Sequence, residues 1–231
     1  SSAASDVYKR QVLLWVAAAT MIVGVIGAIA QDDMKRILAF HIISQIGYMI
    51  LGLGLFTVVG VAAAVFYVIH HIVVKTALFL VAGLVDHRSG SSRLSSVGGL
   101  VRSAPVIAAL FAVPALSLAG LPPFSGFLAK FALVDAGLSQ GSSAIVAVAL
   151  AVGLFTLFSM TKIWTGAFWG GAETEPERNP QTTDRFGGPP LMVLATLSLV
   201  AISISFSIWA GPIHELSQRA AEDLLNPAGY I

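Results

Sequence analysis

The chain has no cysteine. Disulfide frameworks, thiolate metal sites and a cysteine nucleophile are therefore excluded. Charge is almost as scarce: Asp, Glu, Lys and Arg make up 11% of the residues against 56% hydrophobic, and the formal net charge is +1. Soluble domains carry about 25% charged residues, so this is the composition of a polytopic membrane protein. No basic face is left to bind nucleic acid. No secretory leader is evident, because the first apolar run is long and lacks a small-residue cleavage pattern. The Gly52-Leu-Gly54 and Gly98-Gly99 segments have no strand, Lys-Ser/Thr ending or dinucleotide fingerprint around them, so neither reads as a phosphate loop. With no metal-ligand spacing, cofactor motif or nucleophile–base pair, the expectation is a protein that is not an enzyme and carries no metal or cofactor.

What the chain does have is long apolar runs, which predict an all-α protein with about six transmembrane helices. Val12 to Ala30 gives 19 nearly uncharged residues, close to the length of one bilayer crossing. The charged loop 31–36 follows, and Asp32 or Asp33 is placed to cap the next helix. Ile37 to about Val59 and Gly60 to Val85 read as the second and third spans, and residues 86–104 as a polar connection. Ser143 to about Trp169 and Pro189 to Ala210 read as the last two spans, joined by a loop over 170–188. Residues 1–11 show no apolar period and read as a non-native leader, which leaves a transmembrane domain over 12–212. In the tail, 213–231, Ile213, Leu216, Ala220 and Leu224 recur at helical spacing, the pattern of an amphipathic helix on the membrane surface.

The fourth span is broken. Pro122 and Pro123 have no N–H to donate, so carbonyls near Ser117 to Ala119 lose their helical partners. Pro105 to Leu138 is 34 residues, roughly 50 Å as one straight helix against a hydrocarbon core of about 30 Å. Two half-helices resolve that excess. Lys130 follows the break by two turns, and broken helix plus buried ion is the layout of an ion-translocation site. A plain proline kink with a snorkelling lysine fits the same letters.

Alternate loops share a side. Loops 31–36, 86–104 and 170–188 hold Lys35, Arg36, Arg88, Arg93, Arg102, Arg178 and Arg185. With the leader set aside, the opposite side holds only Arg219. The asymmetry predicts a multi-pass protein of the cell membrane with those three loops cytoplasmic and the C-terminus outside.

The third span carries the most unusual groups. His71 and Lys75 are four apart and share one helix face, with His70 about 100° around. In water a lysine holds its proton at neutrality, and burial away from water disfavours the charged form. Imidazole titrates nearer neutrality and passes a proton on through water. Fixing packing by hydrogen bonds across helices is the alternative use of these histidines. A second set of candidates is weaker. His41, Ser44 and Gln45 lie one turn inside the second span and fit a proton entrance or an ordinary interfacial cluster. Lys162 fits a pathway or a snorkelling side chain. Asp135 fits a partner for Lys130, the exit of a pathway or a plain surface cap. His214 and the acidic run at 173–177 read as solvated surface.

Three segments carry a family resemblance. They are Gln31-Asp-Asp-Met-Lys-Arg-Ile-Leu-Ala-Phe-His-Ile-Ile-Ser-Gln-Ile-Gly-Tyr48, His70-His-Ile-Val-Val-Lys-Thr-Ala-Leu-Phe-Leu-Val-Ala-Gly83 and Leu118-Ala-Gly-Leu-Pro-Pro-Phe-Ser-Gly-Phe127. Together they resemble the proton-translocating antiporter family, which includes large membrane subunits of respiratory complex I, related hydrogenases and Mrp-type antiporters. Within that family, the double His and the segment Thr161 to Trp169 are most similar to the D-type subunit of Mrp-type Na⁺/H⁺ antiporters. The resemblance implies inverted repeats, each with a broken helix and a buried lysine. It implies that Lys130, Lys75, His71 and His70 form a proton pathway, with Pro122, Pro123 and Gly126 making the break. It further implies partner subunits in a hetero-oligomer, a lipid bilayer, and H⁺ and monovalent cations as cargo. The first repeat, with its Glu–Lys pair, has no counterpart here, so the chain resembles the C-terminal portion of such a protein. Two alternatives stay open: a proton-pumping component of complex I or a membrane hydrogenase, and a scaffold that moves no ions.

Overall fold

The computed structural model describes residues 2–170 and 188–226. These are helical, in the order α1 Ser2–Ile29, α2 Met34–Gly54, α3 Val58–Ser89, α4 Leu100–Ser103, α5 Pro105–Ala119, α6 Ser125–Ser139, α7 Ser143–Ile163, α8 Pro190–Ile208 and α9 Ala210–Leu225. A π-helical turn, Trp164–Trp169, continues α7. Five of these are long and apolar enough to cross a membrane, and Pro105–Ala119 is a shorter apolar helix. The expected all-α polytopic architecture with one broken span is the one observed.

The ends of the helices depart from the expectation in ways that side chains explain. α1 already runs through residues 2–11. α2 stops at Gly54, five residues before the expected end, because Thr57 opens the next helix by accepting the Gly60 N–H. α3 runs on to Ser89, where Gly90 in the left-handed conformation ends it with its N–H on the Asp86 carbonyl. His87 and Arg88 lie in that last turn, where cations suit the helix dipole. The tail helix starts at Ala210, within the expected end of the sixth span, and buries Ser217 and Ala221. It packs Ala221 against Val61 and Ala62 of α3. His214 sets its ring edge-on to Phe66 at 6.5 Å and is half-buried rather than solvated.

Loop contacts sort the helix ends. At one end, the Ser92 carbonyl accepts the Met34 N–H, the Asp32 carbonyl accepts the Leu94 N–H, and Lys35 pairs with Asp86. At the other, Arg10 donates to the Gln140 carbonyl and to Ser142 Oγ. The α5–α6 element starts at the first end and finishes at the second, so it crosses once, as expected. The acidic run at 173–177, Arg178 and Arg185 lie outside the described residues.

Besides the small cluster at Ala221, the described interior holds two large apolar clusters. One gathers Leu38 of α2, Val74 of α3, Leu118 of α5 and Met160 of α7. The other gathers Tyr48 of α2, Tyr67 of α3, Leu133 of α6 and Val152 of α7. On α2, α3 and α7, buried polar residues fall in the gap, and Lys75 follows it directly after Val74. Between Leu38 and Tyr48 lie His41, Ser44 and Gln45; between Tyr67 and Val74 lie His70 and His71; between Val152 and Met160 lie Thr156 and Ser159. A polar layer therefore separates the two apolar cores.

Candidate functional site

The break in the fourth span begins before the proline pair. α5 ends at Gly120, whose φ of 86° is open to glycine and costly for other residues. The Gly120 N–H donates to the Leu116 and Ser117 carbonyls, and the Leu121 N–H donates to Leu116. This is the Schellman pattern of helix termination. Pro122 and Pro123 then keep the helix from resuming until Ser125. The cap satisfies Leu116 and Ser117, and it leaves the carbonyls of Leu118 and Ala119. Lys130 Nζ donates to both, at 3.0 and 3.2 Å. The ammonium thus occupies the negative end of a half-helix. Gly126 permits the close fit of the two halves: a Cβ there would collide with the Ser117 carbonyl and come within 3.0 Å of His70 Nε2.

The same ammonium lies over the ring of Tyr48, 5.0 Å from its centroid. Tyr48 stacks on Tyr67 at 5.4 Å, and Tyr67 stacks on His71 at 6.5 Å. The Tyr67 hydroxyl hydrogen-bonds to Gln45 Oε1. His70 Nδ1 lies 2.9 Å from Ser125 Oγ, and Ser125 Oγ lies 3.4 Å from Ser117 Oγ, across the break. His41 Nε2 lies 2.6 Å from Ser159 Oγ of α7, and Ser44 donates to the Met21 carbonyl. Lys75 is only 4% exposed, and its Nζ has no hydrogen-bond partner among the described residues; the same holds for His70 Nε2, His71 Nε2, His41 Nδ1 and Gln45 Nε2. Unpartnered polar groups in a protein interior are costly. Here they are concentrated in and beside one layer.

Several sequence expectations are refined here. His41, Ser44 and Gln45 are fully buried in the polar layer, not at an interface. Lys162 is drawn instead to the end of α1. It donates to the carbonyls of Ile29 and Gln31 and pairs with Asp32 at 2.7 Å, which ties α7 to the α1–α2 loop. Asp135 is exposed on α6, while Lys130 takes the α5 carbonyls, so the two do not pair. Sequence reasoning passed over Tyr48, Tyr67, Ser117, Ser125 and Ser159. A signal existed for the tyrosines: Tyr67 precedes His70 and His71 by three and four residues, and Tyr48 follows Gln45 by three, so each shares a face with a polar group.

Fold and site together define a multi-pass membrane protein that buries His41, His70, His71 and Lys75 beside a broken helix. The chain belongs to the family described as NADH:quinone oxidoreductase/Mrp antiporter, TM, which matches over residues 2–161. It is 45% identical over 224 residues to the D subunit of the Na(+)/H(+) antiporter of Alkalihalophilus pseudofirmus, a match that covers 97% of this chain and 44% of that protein. The chain thus spans less than half the length of that relative. Among solved structures it resembles a chain of the Mrp complex from Dietzia sp. DQ12-45-1b, with a TM-score of 0.86 and 36% identity, covering 96% of this chain and 48% of that one. It also resembles a chain of respiratory complex I from Thermus thermophilus, with a TM-score of 0.75 and 25% identity over 96% of this chain and 46% of that one.

Proposed function

We propose that this chain forms part of one component of a multisubunit monovalent cation/proton antiporter of the cell membrane. Protons pass through the layer of Lys130, Lys75, His71 and His70 in exchange for Na⁺. The observation that carries this reading is the seat of Lys130. Its ammonium is held by the two carbonyls that the helix cap leaves free, beside an aromatic ring and away from any carboxylate among the described residues. Carbonyls and a ring face stabilise a cation without taking its proton, so the site loads and unloads without a fixed ion pair. The Na(+)/H(+) antiporter relative and the Mrp-complex neighbour support Na⁺ as the exchanged ion and other antiporter subunits as partners. The Lys/Arg asymmetry supports cytoplasmic loops at 31–36, 86–104 and 170–188 and an external C-terminus.

The test is a pair of substitutions in the assembled antiporter, read as salt-dependent dissipation of a pH gradient in vesicles. Lys130→Ala removes the carrier, and antiport is expected to vanish while assembly stays near normal. Lys130→Arg keeps the charge, but a guanidinium does not deprotonate near neutrality. It is expected to be as inactive as the alanine variant. Near-parental exchange by Lys130→Arg would remove Lys130 from the proton path. The match to complex I favours a second reading, a redox-driven proton pump without Na⁺ exchange. Gradient dissipation on adding Na⁺, with no electron donor present, separates the two.

A further inference from the structure

We infer that Tyr48 is a positioning residue for Lys130, holding the ammonium on the α5 carbonyls with the face of its ring. This rests on the reading of Lys130 as a proton carrier and adds a residue to that site. The ring is held by partners other than the cation. It is 1% exposed, its hydroxyl donates to the Ala149 carbonyl of α7, and it stacks on Tyr67 with the ring planes 14° apart. Tyr67 is in turn tied to α2 through Gln45. The ammonium lies 5.0 Å from the Tyr48 centroid, within the range at which a ring face attracts a cation.

The surroundings leave the ring little competition. Tyr48 and Lys130 line a cavity of about 260 Å³ whose other walls, among them Gly120, Phe127 and Leu150, carry no polar side chain. None of these side chains offers Nζ a polar atom. The lysine stem lies close against Gly120, where a Cβ would come within 2.8 Å of its Cδ. The ammonium therefore has three partners: two carbonyls that fix its direction and one ring that fixes its depth. A carboxylate in place of the ring would hold the proton in an ion pair or accept it. A ring face does neither, so it can set the loaded pose and still let the proton go.

The test uses the assembled antiporter with phenylalanine at position 48 as the reference, then mono-, di- and trifluorophenylalanine at the same site. Fluorine drains the ring face while keeping its shape, and every member of the series lacks the hydroxyl. Exchange at fixed pH and salt is expected to remain substantial with phenylalanine and then to fall stepwise, by about twofold to thirtyfold across the series. Tyr48→Leu should match the weakest member, with assembly unchanged in all of them. A flat or rising series overturns the inference, and so does loss of exchange on Tyr48→Phe, which would assign the role to the hydroxyl. Lys130→Ala, measured alongside, separates the two levels. Exchange surviving in it overturns the carrier reading, whereas its loss together with a flat series overturns the role of Tyr48 alone.

Discussion

Lys130 and Lys75 flank the polar layer, but their amino groups keep different company. Lys130 is bound by two carbonyls and a ring, while Lys75 Nζ has no hydrogen-bond partner among the described residues. A buried, unpartnered amino group is a net cost to the fold, and an apolar side chain of similar length removes that cost. On the proposed proton pathway, such a residue serves exchange at the expense of stability. Lys75→Met is therefore expected to leave the thermal stability of the detergent-solubilised protein unchanged or to raise it, while antiport falls. Lys130→Met is expected to do the opposite to stability. It strands the Leu118 and Ala119 carbonyls, at about 1–3 kcal/mol each where they stay dry. Thermal unfolding of the two variants checks both signs. A Lys75→Met variant that unfolds well below the parent would show that the lysine holds structure together.

The helices show which parts of the fold can be read from letters and which cannot. That the fourth span breaks was legible from Pro122 and Pro123. That it breaks first at Gly120, and which carbonyls stay free, was not, because the Schellman cap depends on a left-handed residue and on bonds made backwards along the chain. His70, His71 and Lys75 were legible as a cluster, since they share one helix. The partners of the layer were not: His41 meets Ser159 across 118 positions, and His70 meets Ser125 across 55. Only packing of whole helices brings such residues together. The cap of α2 was legible to within a choice of two, and Asp33 is the one that accepts the Arg36 N–H, at 3.0 Å. Burial works to raise the Asp33 pKa, but hydrogen bonds from Ser92 and the Arg36 and Lys35 N–H groups, with the Arg36 charge, outweigh it and hold the carboxyl below its ordinary range. A depressed carboxyl stabilises the fold above its unfolded pKa and ceases to do so as pH falls through the folded value. Asp33→Ala is therefore expected to cost about 1 kcal/mol at neutral pH. The gap between parent and variant should persist down to the ordinary carboxyl pKa of 3.8 and narrow only below it. Thermal unfolding against pH measures this, and a gap that closes near neutrality would assign the effect to another group.

At the scale of the whole molecule, the polar layer has meaning only if the helices pass it in alternating directions, so that each end of the layer faces one side of a membrane. The decisive element is α5–α6. A re-entrant hairpin would bring Ser139 back to the side of the 86–104 loop. A single broken crossing puts them on opposite sides, as the tie from Arg10 to Gln140 and Ser142 at the far end requires. These 231 residues contain no cysteine, so a single cysteine placed among them is their one thiol. Ser95 is exposed in the 86–104 loop and Ser139 at the end of α6. In intact cells, Ser139→Cys is expected to react with a membrane-impermeant maleimide, and Ser95→Cys only after the cytoplasmic face is opened. Reaction of both from one side would overturn the single crossing and, with it, the placement of Lys130 partway through. Reaction of Ser95→Cys from outside and Ser139→Cys from within would keep the crossing and reverse the orientation drawn from lysine and arginine. The two outcomes bear on different steps, since the first concerns how the backbone turns at Gly120 and the second only how the finished bundle was inserted.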